Sequence, residues 1–430
     1  MNIFQRYITR QNDHYSKCLD HAGDDIAMFV VIPCYNEPDI ALTLESLANC
    51  HPPEGKVTVL IVVNDAENST PESISRNNST LEEIAEWKKL HPDLFFHVQR
   101  IYAHSLPQKW AGVGWARKLG MDEAVKQIAA SHSSDGIIIS LDADSTVSPN
   151  YFQTIEQSFK ISSQNNFFLL NFEHPLDGKG LDEATKEGII RYELHMRYYK
   201  NAMCWSGYPH AIHTVGSSFT LKASAYVKQG GMNRRKAGED FYFLHKLVLL
   251  DHYGTINATT VIPASRISDR VPFGTGAALK KWTEGSSELY STYSLEAFGH
   301  LKTLFTNSSK FWSLSMEEIA EFFDSLNPSL QSYCINMHSV DQLIELKDNC
   351  SNALVFQKRY FHLFNAFWIL KYLNFVHDET LKRVDPKNEA EKLLVKLGIP
   401  ISPNSSLENI LGIYRALDKG EQTPDLQVPK

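Results

Sequence analysis

The chain has 430 residues, 43% hydrophobic and 21% charged, enough for one large α/β domain plus a smaller unit, with a core that needs no covalent staples. A formal net charge of −8 excludes a broad nucleic-acid footprint, which needs basic surface to replace phosphate counterions; a local basic pocket for a diphosphate stays open. The six cysteines are scattered without a CxxC pair, so neither a zinc site nor a disulfide framework is expected, and reduced thiols are the simplest reading.

Residues 1–26 form a polar lead-in without the apolar core of a signal peptide. No apolar run reaches the ~18 residues that a membrane-spanning helix needs. The expected location is cytoplasmic. The first element is AMFVVIPCYNEP, a β-branched run reading as a buried strand that ends in Pro33 and a polar turn. IALTLESLANC has mostly helical spacing, with Asp39 as its amino-terminal cap. KVTVLIVVNDAENST reads as a second buried strand, and residues 68–80, rich in Ser, Thr and Asn, as a loop. LEEIAEWKKL predicts a helix, LFFHVQRIYA a third strand, AGVGWARKLGMDEAVKQIAA a helix approached through glycines, and GIIISLDAD a fourth strand.

This alternation predicts a mainly parallel, doubly wound sheet, with ligands bound beyond the carboxyl ends of its strands. Tyr35, Glu37, Asp65, Asp142 and Asp144 all fall at those ends. Beyond Asn150 the pattern is mixed, and TVGSSFTLKASAYVKQGG and AGEDFYFLHKLVLL predict a strand, a short helix and another helix. From about residue 310 the chain reads helical.

The strongest chemical signal is Asp142-Ala143-Asp144 directly after an apolar strand. Two carboxylates there can hold one hard divalent cation, Mg²⁺ or Mn²⁺, which shares oxygen ligands with phosphate and neutralises a departing diphosphate. Acidic pairs also cap loops, and the strand-end context is what favours the cation. Gly112-x-Gly114 does not make a dinucleotide-binding turn, because no strand immediately precedes it and the third glycine is misplaced.

Several segments in order resemble the family 2 glycosyltransferases of the GT-A fold: VVIPCYNEP, NDAENST, GVGWARKLGMDEA, LDADSTVSPNYF, GSSFTLKASAYVKQGG and AGEDFYF. The resemblance covers roughly residues 27–285. It implies a GT-A domain over 27–300; beyond it, the sequence pattern predicts a helical region over 301–420 and a disordered tail over 421–430. The resemblance further implies that Pro33, Tyr35 and Glu37 line the donor nucleotide site and that Asp65 accepts a hydrogen bond from the base. Asp144 would be the main metal ligand, Asp142 would contact ribose or metal-bound water, and Arg117 and Lys109 would approach the nucleotide or diphosphate. Asp240, ahead of Glu239, would be the general base that deprotonates the acceptor hydroxyl. Inverting transfer is one in-line displacement, so it asks for one carboxylate on the acceptor side. Capping of a helix start is the competing role for this pair.

SRISDRVPFGTGAALKKW stands where processive relatives carry Gln-x-x-Arg-Trp, and Arg266 or Arg270 is expected to clamp the diphosphate. Trp205, Tyr208, His210 and His213 fall where the family binds acceptors; the aromatics can stack on a sugar or belong to a core. The aromatic segment RYFHLFNAFWILKYLNF is too broken to span a bilayer; it packs within its own domain or lies peripherally on a membrane. The reading is therefore an inverting glycosyltransferase using a UDP- or GDP-sugar, with a glycan, a lipid-linked molecule or a small molecule as acceptor. A retaining GT-A enzyme with a histidine ligand and a catalytically degenerate nucleotide-sugar-binding scaffold are the alternatives.

Overall fold

The apolar runs form one nine-stranded sheet in the computed structural model, which describes residues 1–11, 16–20, 26–131, 135–178, 181–236, 238–267, 274–285 and 291–424. Its strands are β1 (Ser16–Cys18), β2 (Ile26–Cys34), β3 (Lys56–Ala66), β4 (Phe96–Leu106), β5 (Ile137–Ser140), β6 (Thr146–Val147), β7 (Phe167–Phe172), β8 (Phe219–Lys222) and β9 (Tyr253–Ile262). They lie in the order β1-β4-β3-β2-β5-β8-β7-β9-β6. The β4-β3-β2-β5 block is parallel, and β8 joins β5 and β7 antiparallel, so the sheet is mixed at its second half. Strands of the parallel block are covered on both faces, which is why β2 and β3 read as unbroken apolar runs rather than alternating ones.

Pro33 sits inside this central strand without cost to the ladder. Val31 accepts the final β5-side bond from the Leu141 amide, and Pro33 lies two residues further on, where pairing with β5 has already stopped.

The helices with the sheet are α1 (Ile3–Ile8), α2 (Ile40–Ala48), α3 (Pro71–Leu90), α4 (Val113–Ala130), α5 (Tyr151–Ile161), α6 (Glu183–Trp205), α7 (Ala223–Lys228), α8 (Glu239–Leu247) and α9 (Thr275–Thr283). The expected loop over 68–80 is a helix from Pro71 onward. Thr70 caps it by accepting the Ser73 amide, Pro71 opens it, and three of its polar residues, Ser73, Asn77 and Thr80, face inward and are buried. Polar composition was misleading because those side chains bond to the fold instead of to water. Asp39 does stand at the start of α2, but its side chain makes no capping bond. The strands β6, β7 and β9 and the helices α5 and α6 were not separated by the sequence pattern.

The described chain divides into two compact units, Met1–Ile189 with Thr214–Thr283, and Ile190–His213 with Glu284–Lys430. The second is helical: the end of α6, then α10 (Leu295–Thr306), α11 (Met316–Asp324), α12 (Pro328–Asn336), α13 (Ser339–Asp348), α14 (Ala353–Leu363), α15 (Ala366–Glu379), α16 (Pro386–Lys396) and α17 (Leu407–Lys419). The aromatic segment is split between α14 and α15 by Asn365, whose side chain accepts the Phe367 and Trp368 amides. Tyr360, Ile369, Tyr372 and Leu373 from it are all buried in this unit. No helix among the described residues is long and apolar enough to cross a membrane.

An ion network fastens α17 to the second half of α6. Buried Glu193 takes Arg197 at 2.8 Å and Arg415 through both oxygens at 2.8 Å. Asp418 takes Arg197 at 2.6 Å, Lys200 and Asn201 at 3.0 Å, and His213 at 2.8 Å. Burial alone would raise the Asp418 pKa, but His213, Lys200 and Arg197 outweigh it and hold the carboxyl well below the usual range.

Two substitutions test these contacts. A Cβ on Gly120 of α4 would lie 2.4 Å from Val31 Cγ1 and 2.9 Å from Val62 Cγ2, so Gly120→Ala should destabilise the sheet unit by about 1–3 kcal/mol in denaturant unfolding. Asp418→Asn leaves its cations buried against a neutral amide and should cost about 3–5 kcal/mol near neutral pH. A depressed folded pKa stabilises above the unfolded value and is lost as pH falls. Wild-type protein should therefore lose stability progressively below about pH 4, and the variant should lose less over that range.

Candidate active site

The parallel strands deliver their polar termini to one edge of the sheet, and α3 shapes the first turn there. Asn36 adopts a left-handed conformation (φ 48°), tolerable for asparagine. Its amide donates to Asn77 Oδ1 at 2.9 Å, while Asn77 Nδ2 donates to the Asn64 carbonyl at 2.8 Å, tying the β2 turn to β3. Tyr35 reaches Ser73 Oγ at 3.4 Å. Glu37 is turned inward and fully buried, and its oxygens accept from Arg266 Nη2 at 2.7 and 2.6 Å. The same nitrogen lies 3.2 Å from Asp144 Oδ2. Burial disfavours the charge on Arg266, but Glu37 and Asp144 outweigh that and raise its pKa.

At the end of β3, Asp65 has no exposed surface and accepts three donors: the Ser105 amide at 2.7 Å, Tyr102 Oη at 3.2 Å and His104 Nδ1 at 2.9 Å. Burial, then the Asp65 charge, pushes the Tyr102 hydroxyl up to about 12. Tyr102, His104 and Ser105 were not singled out from sequence. The available signal was the two-residue spacing of Tyr102 and His104, which places both on one face near the end of β4.

Beyond β5, Arg117 of α4 is buried between two carboxylates. Its guanidinium meets Asp142 Oδ1 at 2.5 Å on one side and Glu239 Oε1 on the other, and its buried Nε has no hydrogen-bond partner among the described residues. Glycines permit this crowding. A Cβ on Gly216 would lie 2.9 Å from Arg117 Nη2, and Cβ atoms on Gly112 and Gly114 would lie 2.9 Å from Lys236 Cα and 2.2 Å from the Arg235 carbonyl. Gly112 at the cap of α4 and Gly114 in its first turn thus admit the loop that leads into α8. Glu239 begins α8 after Gly238, which is left-handed (φ 69°), and Asp240 follows half-buried, with Oδ1 accepting the Phe241 amide at 2.7 Å. Burial raises the pKa of both carboxyls, with Arg117 opposing it.

Glu37, Asp65, Arg117, Asp142, Asp144, Glu239, Asp240 and Arg266 are thus brought together in the sheet unit. Lys109 is exposed beside the Trp110 ring at 5.6 Å. Arg270 lies outside the described residues. Trp205, Tyr208, His210 and His213 belong to the helical unit. There Lys302 stands 4.1 Å from the Trp205 ring, Tyr208 is buried against Phe305 and Phe361, His210 lies edge-on to Tyr208, and His213 pairs with Asp418.

No three His, Cys, Asp or Glu side chains gather into a metal cage among the described residues. Asp142 is engaged by Arg117, and Asp144 is half-buried beside Arg266. That donor set fits a cation bound by one or two carboxylates and completed by a ligand's phosphate oxygens, not a resident ion held by protein alone.

The mixed α/β sheet followed by a helical region agrees with the GT-A fold expected from the sequence, and the family comparison supports a glycosyltransferase. Residues 29–208 match the family model described as glycosyl transferase family 2, and this segment carries Glu37, Asp65, Arg117, Asp142 and Asp144. Comparison with curated proteins gives no match. Among solved structures, the chain is similar to residues 1–349 of TarS from S. aureus in complex with UDP-GlcNAc, at 12% identity and a TM-score of 0.39, over 78% of this chain and 91% of that one. It is also similar to the mannosyltransferase PcManGT from Pyrobaculum calidifontis in complex with GDP-Man and Mn²⁺, at 13% identity and a TM-score of 0.35, over 97% and 93% of the two chains. Likenesses of that size decide nothing about this chain's chemistry.

Proposed function

We propose that the protein transfers a glycosyl group from a UDP- or GDP-sugar to a hydroxyl of a glycan, a lipid-linked molecule or a small molecule, with inversion at the anomeric carbon. The observation that carries this reading is the Asp142–Arg117–Glu239 bridge, which links the acidic loop after β5 to the start of α8 and so brings Asp240 to the same edge. Asp240 accepts the proton of the acceptor hydroxyl as its oxygen forms the new bond to the anomeric carbon. The bond from that carbon to the diphosphate oxygen breaks in the same displacement, and its electron pair leaves with the nucleoside diphosphate. Asp240 suits a base because burial raises its pKa and makes it a better proton acceptor. Glu239 serves instead as the partner of Arg117.

Asp144 would hold Mg²⁺ or Mn²⁺, which supplies charge neutralisation for the departing diphosphate. Arg266 is the cation that the chain itself brings to the diphosphate, and its guanidinium exchanges carboxylate oxygens for phosphate oxygens when donor binds. The retaining alternative calls for a histidine ligand; of its two candidates, His213 is engaged by Asp418 and His210 lies against Tyr208. The product anomer separates the two stereochemistries.

Calorimetry with UDP and GDP should show binding of one nucleotide that needs Mg²⁺ or Mn²⁺ and is lost with EDTA or in Asp144→Ala. Asp240→Asn should keep that binding while turnover falls by about 10²–10⁴-fold. Normal turnover in Asp240→Asn would remove the assigned base. Arg266→Ala should weaken nucleotide binding by about tenfold or more, as expected for a charge-assisted contact; unchanged affinity and turnover would remove the clamp.

A further inference from the structure

We infer that His104, held by Asp65, is the residue that reads the nucleobase, and that it selects a base with a ring N–H on its pairing edge: uracil, thymine or guanine. The inference rests on the proposed nucleoside diphosphate donor and concerns the far end of the same site. Asp65 was expected to meet the base itself. Its carboxylate is instead fully buried and engaged by the Ser105 amide, the Tyr102 hydroxyl and His104 Nδ1. A base could reach it only by displacing donors that belong to the fold.

Those contacts fix what His104 presents. An ionised carboxylate only accepts, so the proton of the 2.9 Å contact sits on Nδ1. In the neutral ring, Nε2 is then an acceptor, and it has no protein partner among the described residues. The side chain is 52% exposed, so the ring extends out from the carboxylate that orients it. Ser105, directly after it, holds a left-handed conformation (φ 54°), and its amide is the one bonded to Asp65. A non-glycine residue in that region is uncommon, and such local strain concentrates at binding sites.

Placement agrees with this role. Asp142 and Asp144 follow β5, whereas His104 lies near the carboxyl end of β4, three strand spacings away in the order β4-β3-β2-β5. At about 4.8 Å per spacing the separation is about 14 Å, within reach of an extended nucleoside diphosphate lying along the edge. With phosphates at the β5 end, the base falls over β3 and β4. Uracil N3–H or guanine N1–H can donate to Nε2, whereas cytosine N3 and adenine N1 carry a lone pair there.

Calorimetric titration of the intact protein with UDP, GDP, CDP and ADP, each with Mg²⁺ or Mn²⁺, tests this. Wild type should prefer UDP or GDP by about tenfold or more over CDP and ADP. His104→Ala should compress that preference to within about threefold while binding still depends on Asp144, and His104→Gln, which keeps an acceptor oxygen, should restore part of it. Asp65→Asn is the sharper variant. An amide can donate to Nδ1, which shifts the imidazole proton to Nε2 and turns it into a donor, so the preference should move towards CDP or ADP. A purely structural Asp65 would lower affinity for all four nucleotides alike. An unchanged base preference in His104→Ala, with Asp144→Ala still abolishing binding, would overturn the role of His104 and leave the donor reading intact. Absence of binding by all four to folded wild-type protein would overturn both.

Discussion

One buried guanidinium sets the geometry on which the rest of the site depends. Arg117 is fixed in α4 by the packing of that helix on β2 and β3, and it carries a carboxylate on each side: Asp142 after β5 and Glu239 at the start of α8. A charge buried this deeply is tolerable only while both partners remain, because removing either leaves the other uncompensated in a medium of low polarity. The backbone has accommodated it with Gly112, Gly114 and Gly216, each of which would collide with the segment at Arg235–Lys236 or with the guanidinium if it carried a Cβ. Asp240 inherits its position from this arrangement, since the residue before it is one end of the bridge.

The acidic residues at the edge divide by what they touch. Glu37, Asp65 and Glu239 have almost no exposed surface and are each engaged by the chain's own donors, namely Arg266, the Tyr102–His104–Ser105 group, and Arg117. Asp144 and Asp240 retain partial exposure, which suits groups that meet a ligand. Each buried carboxylate thus holds a side chain in place, a guanidinium for Glu37 and Glu239 and an imidazole for Asp65. Arg266 belongs to both sets, because the nitrogen that neutralises Glu37 also touches Asp144.

Most of the parallel half of the sheet was legible in the sequence, because strands buried on both faces leave unbroken β-branched runs such as FVVIP and VTVLIVV. The acidic pair and Glu239-Asp240 were legible for a related reason: each follows directly on a recognisable element boundary. Residues 68–80 were misread because composition reports what a side chain is made of, not what it bonds to, and Asn77 is buried between two backbone segments. The contact of His104 with Asp65 was missed because a strand reads as apolar alternation until its last residues, and this pair joins the ends of two different strands. The Arg117 bridge could not be read at all. It pairs residues far apart in the chain, and nothing local in AGVGWARKLG marks the arginine as buried.

The distribution of charge gives the donor reading a further consequence. Among the described residues, Glu37, Asp142, Asp144, Glu239 and Asp240 surround Arg117 and Arg266 at this edge, so the carboxylates of this group outnumber its guanidiniums even with Glu239 and Asp240 shifted towards their neutral forms by burial. A diphosphate approaching alone would be repelled, and more strongly than in water because the neighbouring protein screens poorly. Under the proposed reading the donor must therefore arrive with added positive charge, and a divalent cation on Asp144 provides it at the place where Arg266 now sits. Asp144 would hold such a cation and supply it with a carboxylate oxygen; its own contact with Arg266 would then weaken, leaving the guanidinium to meet the phosphates while Glu37 keeps it within reach. An edge this acidic is a poor site for an anion and a suitable one for an anion that brings its own cation.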